Sequence, residues 1–90
     1  MNDAIYKYKL AVTDLQELPL PEGAEILTAQ MQYDNLCLWA AVDTNVGKMV
    51  NRQIEIIGTG HPIEAAQRDY IGTVQIHGGA LVLHVFERMR

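Results

Sequence analysis

Leu36-Cys37-Leu38-Trp39-Ala40-Ala41-Val42 is the run that decides the fold. Read with a period of two, Leu36, Leu38, Ala40 and Val42 fall on one face and Cys37, Trp39 and Ala41 on the other, so both faces are apolar. Such a run is expected as a central strand covered on two sides. Trp39 is therefore expected in the core, packed with the Leu81–Phe86 run, and Cys37 as an inert core thiol.

Outward from this run the chain reads as strands separated by turns. Asp34-Asn35 is the turn into it, and Ala24 to Tyr33 before that turn is a long strand with Leu27, Ala29, Met31 and Tyr33 alternating against Ile26, Thr28, Gln30 and Gln32. The uncharged ladder Thr28, Gln30, Gln32 suits an interface or a sheet edge. Tyr6 to Leu10 alternates as a half-buried strand, with both lysines on the wet side. Thr13-Asp14 reads as a turn, Gln16–Leu18 as a short edge strand, and Leu18 to Gly23 as an extended connection, because prolines two apart do not both fit a central ladder. On the C-terminal side, Gln53 to Ile57 turns Ile54 and Ile56 inward and Gln53 and Glu55 outward. Tyr70 to Ile76 and Leu81 to Glu87 are strands joined across His77-Gly78-Gly79-Ala80. Pro62 to Asp69 is the one candidate helix, at most two turns long. The fold class is mainly β, β-rich α+β: a small antiparallel sandwich or partly open barrel with one short helix.

Composition bounds the function. Ninety residues, 49% hydrophobic and 20% charged, make a single packed domain over residues 1–90. A formal charge of −4 with scattered basic residues is unlike a nucleic-acid binder, and the acids do not cluster into a mimic of one. A lone cysteine, no apolar run approaching membrane-span length and an N-terminus without a basic leader point to a cytoplasmic protein. Long strands with few charged gatekeepers point to self-association as a homodimer.

Catalytic chemistry finds no foothold in the residues. The chain contains no serine, its threonines lack an evident base, and no two acids are placed together by local structure. His61, His77 and His84 have no metal-ligand spacing, so neither a metal nor a cofactor is expected, and His84, between Val82 and Phe86, reads as a hydrogen-bonded core histidine. The protein is read as a binding protein, not an enzyme. Its candidate binding residues are Gly58, Thr59, Gly60 and His61, in the loop Gly58-Thr59-Gly60-His61-Pro62-Ile63, together with nearby Arg52 and Tyr70. The loop glycines permit a sharp bend or a close approach of ligand to backbone, Arg52 offers donors, and Tyr70 a flat apolar surface. His61 itself is read as structural and the rim around Tyr70 and Arg52 as functional.

Tyr6-Lys7-Tyr8, Pro21 to Leu27, Cys37-Leu38-Trp39-Ala40, the Gly58–Ile63 loop, Tyr70-Ile71-Gly72-Thr73 and Gly78 to Glu87, taken in this order and spacing, resemble a family of small proteins encoded by tailed phages and prophages. The resemblance spans almost the whole chain and brings no assigned catalytic residues. It implies the cytoplasm of an infected bacterial host and a counter-defence role, blocking a bacterial immune factor by binding a host protein. A sponge for a nucleotide immune signal is the alternative, and a virion structural or assembly accessory the third.

Overall fold

A computed structural model describes residues 1–89. Seven strands run through them: β1 (Ala4–Lys9), β2 (Leu15–Pro21), β3 (Glu25–Gln32), β4 (Asn35–Val42), β5 (Met49–Gly58), β6 (Arg68–Ile76) and β7 (Leu81–Arg88). They form two antiparallel sheets, a three-stranded one in the order β1-β4-β3 and a four-stranded one in the order β2-β5-β7-β6. No ladder joins the sheets, and the narrowest Cα extent is 16 Å, so the molecule is a sandwich of two layers and not a closed barrel.

The alternation read in the sequence places the core between the layers. Leu36, Leu38, Ala40 and Val42 of β4 face Leu18 and Leu20 of β2, Ile54 and Ile56 of β5, Val74 of β6, and Leu83 and Val85 of β7 in one apolar cluster. Leu20, Leu38, Val42, Ile54 and Val85 are fully buried, each worth about 1.5–3 kcal/mol of transfer free energy. Among the described residues no polar or charged side chain is fully buried.

Five local readings need correction. Residues 62–67 form no helix. They belong to a loop, β6 begins at Arg68, and the one helical turn among the described residues is a 3-10 turn at His77–Gly79. The physical reason is visible in Arg68, whose Nη1 donates to the Glu64 carbonyl at 2.9 Å and reaches that of Ala66 at 3.5 Å, taking backbone acceptors a helix would need. A two-turn segment has little propagation energy to set against its nucleation cost. The β3–β4 turn is Tyr33-Asp34, with Tyr33 at φ 54°, one residue before the expected Asp34-Asn35 pair. Within β3, a bulge between Ile26 and Thr28 extrudes Leu27, so Ile26 packs on the core with Ala29 and Met31 while Leu27 is exposed.

Trp39 is the fourth correction. It stands on the outer face of the three-stranded sheet, opposite Lys7 and Thr28, half-buried and outside the core cluster. Only one face of β4 is covered by the other sheet. Cys37 shares that outer face and is nonetheless buried, flanked in register by Lys9 and Gln30.

Pro19 and Pro21 both lie within β2, which extends past the expected Gln16–Leu18 to Leu15–Pro21. The Glu22 amide donates to the Lys48 carbonyl at 2.9 Å in register with the β2–β5 pairing, so even-numbered residues of β2 bond β5 and odd-numbered ones point outward. Both prolines occupy outward positions, where a missing N–H costs no ladder bond. On the far side, β3 and β6 meet without a ladder. Gly72 of β6 sits so close to β3 that a Cβ there would lie 2.8 Å from the Ala29 carbonyl oxygen.

Candidate functional site

β5 ends at Gly58, and the chain then folds back along the four-stranded sheet through residues 59–67. The Thr59 amide donates to the Val82 carbonyl at 3.1 Å and the His61 amide to the Gly58 carbonyl at 3.0 Å, closing the bend. Gly60 carries φ 87°, the left-handed conformation that the paired glycines suggested. Gly58 has an extended backbone, and the His61 ring lies against it, 3.1 Å from where a Cβ would be.

From this bend a line of side-chain hydrogen bonds crosses the outer face of the sheet. Thr59 Oγ1 lies 2.7 Å from His84 Nε2, His84 Nδ1 lies 3.0 Å from Thr73 Oγ1, and Thr73 Oγ1 lies 2.6 Å from the Tyr70 hydroxyl. Register and a bulge produce the line: Thr73 pairs with His84 across β6 and β7, His84 with Ile57 across β7 and β5, one step before the loop, and a bulge between Tyr70 and Gly72 brings Tyr70 to the face of Thr73. Three hydroxyls, each able to donate or accept, serve both imidazole nitrogens in either tautomer. The threonines read as lacking a base therefore flank one. His84 has hydroxyl partners on both nitrogens and, among the described residues, no bonded carboxylate to orient it as a general base, so the line is an ordered strip of donors and acceptors.

Tyr70 ends the strip and is held from two sides. Its ring packs edge-on against Phe86, with centroids 5.6 Å apart and planes at 65°, while its hydroxyl bonds Thr73. The side chain is still 61% exposed. Beside it, Arg68 lies over the Phe86 ring at 5.9 Å and donates from Nε to Glu55 at 2.8 Å, while Arg88 approaches the same carboxylate at 3.8 Å. Arg68 thus ties the end of the loop to the sheet. Its Nη2 is buried without a hydrogen-bond partner.

The six residues singled out in the sequence divide into groups. Thr59 and Tyr70 are linked through His84 and Thr73, and Gly58 and Gly60 shape the bend that presents Thr59. His61 is exposed, and among the described residues its imidazole has no hydrogen-bond partner. It lines a cavity of about 430 Å³ with Asp14, Leu15, Glu55, Glu64 and Arg88. Arg52 does not join the strip: it is on the inner face, its guanidinium bonded to the Glu87 carboxylate and its Nη1 donating to the Ala24 carbonyl at 2.9 Å. The bond to Glu87 raises the Arg52 pKa above its ordinary value. Arg52 and Tyr70 line a shared cavity of about 350 Å³ at the β3–β6 seam, approached from opposite faces of the sheet.

His84, expected in the core, stands instead half-buried on the outer face, hydrogen-bonded as expected, and neither it nor Thr73 was singled out as a site residue, although a signal existed. Continuing the Gly78-Gly79 hairpin from its innermost pair, Ile76 with Leu81, puts Thr73 opposite His84. Among the described residues no three His, Cys, Asp or Glu side chains are grouped to hold a metal ion, and no helix is long and apolar enough to cross a membrane.

The model of one protein family, DUF7352, a domain of unknown function, matches residues 1–90. No curated protein and no solved structure matches the chain.

Proposed function

The chain belongs to the DUF7352 family, a domain of unknown function, and we propose that it is a phage-encoded, non-enzymatic binding module that counters bacterial defence by occluding a host protein in the infected cell's cytoplasm. The observation that carries the reading is Tyr70, exposed yet fixed by Phe86 and Thr73 at the end of an ordered polar strip. An aromatic side chain already held in place loses little conformational entropy on binding, which is the profile of an interface anchor. The phage origin and the host target rest on the sequence resemblance. The nucleotide-sponge reading is less favoured, since the 430 Å³ cavity beside the loop sets Asp14, Glu55 and Glu64 around Arg88, and three carboxylates oppose a phosphate.

The test is protection of phage from a panel of bacterial defence systems by the expressed protein. Tyr70→Ala is expected to abolish protection while leaving the melting temperature within a few degrees of the parent, as for exposed sites. Full protection by a folded Tyr70→Ala protein overturns the assignment of the site. A nucleotide released on mild denaturation of the purified protein, detected by mass spectrometry, overturns the blocker in favour of the sponge.

A further inference from the structure

We infer that β1 is a self-pairing edge: two copies of this chain join antiparallel through β1 about a two-fold axis at Tyr6, extending the three-stranded sheet to six strands. The four sheet edges differ in what they offer. β3 and β6 lean on each other at Ala29 and Gly72. β2 presents Pro19 and Pro21 at outward positions, so its outer row of donors is broken.

β1 has an intact row. It pairs with β4 in one unbroken register, and the Leu10 amide donates to the Leu36 carbonyl at 2.9 Å in that register. Even-numbered residues therefore bond β4, while Ile5, Lys7 and Lys9 direct their amides and carbonyls outward, without an intrachain partner among the described residues. Lys7 is the charge that would guard this edge. Its Nζ instead reaches across the outer face to Gln32 Oε1 at 2.6 Å. Ile5 and Tyr6 stand 63% and 47% exposed beside the open row.

Charge selects the partner, and charge together with the free amides of the open row selects the register. A two-fold antiparallel pair sets like faces together, so the axis must pass through a residue. An axis at Lys7 opposes Lys7 to its own copy, and one at Tyr8 opposes Lys7 to Lys9, each a like-charge contact, while one at Ile5 opposes Asp3 to Lys7 but lacks a free Asp3 amide, which already donates to the Val42 carbonyl at 2.8 Å. An axis at Tyr6 opposes Asp3 to Lys9, Ala4 to Tyr8 and Ile5 to Lys7, with opposite charges at both ends. Asp3, held by the Thr44 amide and hydroxyl at 3.0 and 2.9 Å, keeps its carboxyl below its ordinary pKa and so charged. The Ile5–Lys7 pair and its symmetry mate then close the ladder, and Tyr6 meets its own copy as a non-hydrogen-bonded pair with Cα atoms about 4.5 Å apart, within disulfide reach.

Analytical ultracentrifugation across a concentration series tests the pairing, with oxidative cross-linking to read the register. The native chain is expected at twice its 10.1 kDa mass. Lys7→Pro, which breaks the outer row as the prolines of β2 do, is expected to stay folded by circular dichroism and to weaken the dimer about tenfold or more. Ile5→Lys, which changes no backbone donor, is expected to weaken it through contact with Lys7 of the other copy, and Ile5→Glu to strengthen it. Tyr6→Cys is expected to form a covalent dimer under mild oxidation, while Lys7→Cys and the native chain are not. A native chain monomeric at every concentration overturns the proposal, as does a dimer unaffected by both Lys7→Pro and Ile5→Lys. Cross-linking through Lys7→Cys in place of Tyr6→Cys overturns the register. An added β1 peptide that binds the chain while the chain itself stays monomeric would make this edge a site for a foreign strand and equally overturn self-pairing.

Discussion

The outer faces of the two sheets are built from opposite materials. On the four-stranded sheet, Thr59, His84, Thr73 and Tyr70 bond in line, Glu55 holds Arg68, and a loop lies alongside. On the three-stranded sheet the centre is Trp39, Cys37 and Ala41, bordered by Thr28, Gln30 and Gln32 and crossed by the Lys7–Gln32 bond. The first face takes its order from directional bonds between side chains. The second depends on packing against neighbours in its own sheet, so its residues are replaceable by others of similar size.

The widest test of this contrast uses adjacent residues on opposite faces of β4. Leu38→Ala removes a fully buried side chain and is expected to cost about 2–5 kcal/mol, whereas Trp39→Ala, on the half-open face, is expected to cost about 1–2 kcal/mol despite removing more atoms. Urea unfolding of both variants reads the difference, and an equal or larger loss for Trp39→Ala would mean that something covers the outer face in solution.

The bonded face is probed by Arg68→Met, which leaves the Glu55 carboxylate with Arg88 alone and frees the Glu64 carbonyl. The expected loss is about 1–3 kcal/mol, and hydrogen exchange in residues 59–67 should speed up while that in β1 is unchanged. Should the loop keep its protection, the ion pair is not what holds it.

The smallest effect belongs to Asp3, which ties the start of β1 to Thr44 beyond β4. Hydrogen bonds from the Thr44 amide and hydroxyl lower the Asp3 pKa in the folded chain. A depressed acid contributes stability above its ordinary value of 3.8, and this is lost as pH falls through the lower folded value. Asp3→Asn is thus expected to melt slightly below the native chain at neutral pH and to converge with it in acid. A gap that persists below the ordinary carboxylate range would show that the charge is not responsible.

What could be read beforehand was whatever follows from alternation and turns. Ile54 and Ile56 inward with Glu55 outward and the β6–β7 hairpin rest on a period of two carried from a turn, whereas Tyr70 reaches the outer face through the bulge between Tyr70 and Gly72, which alternation does not announce. Leu27 was misread because a bulge advances the alternation by one residue, and neither Ile26-Leu27-Thr28 nor its neighbours contain the glycine that would mark one. Trp39 was misread because a run apolar on both faces does not say how many layers cover it. In this molecule two layers leave β4 with one covered face. Residues 62–67 carry helix-forming side chains, but a distant carboxylate, Glu55, fixes Arg68 where it competes for their carbonyls. The Thr59–His84–Thr73–Tyr70 line required two registers and the β6 bulge at once, and only the β6–β7 register was implied locally, by its hairpin.

Gly72 against the Ala29 carbonyl makes the β3–β6 seam a contact of main chain with main chain. The strand orders put β1 and β2 at the edges away from it, where side chains alone space the layers. Such a body opens like a book bound along one margin. Thermal fluctuation parts the pages away from the seam first, so the ladder amides between β3 and β4 and between β6 and β7 should exchange most slowly, and an added side chain at position 72 would loosen the spine itself.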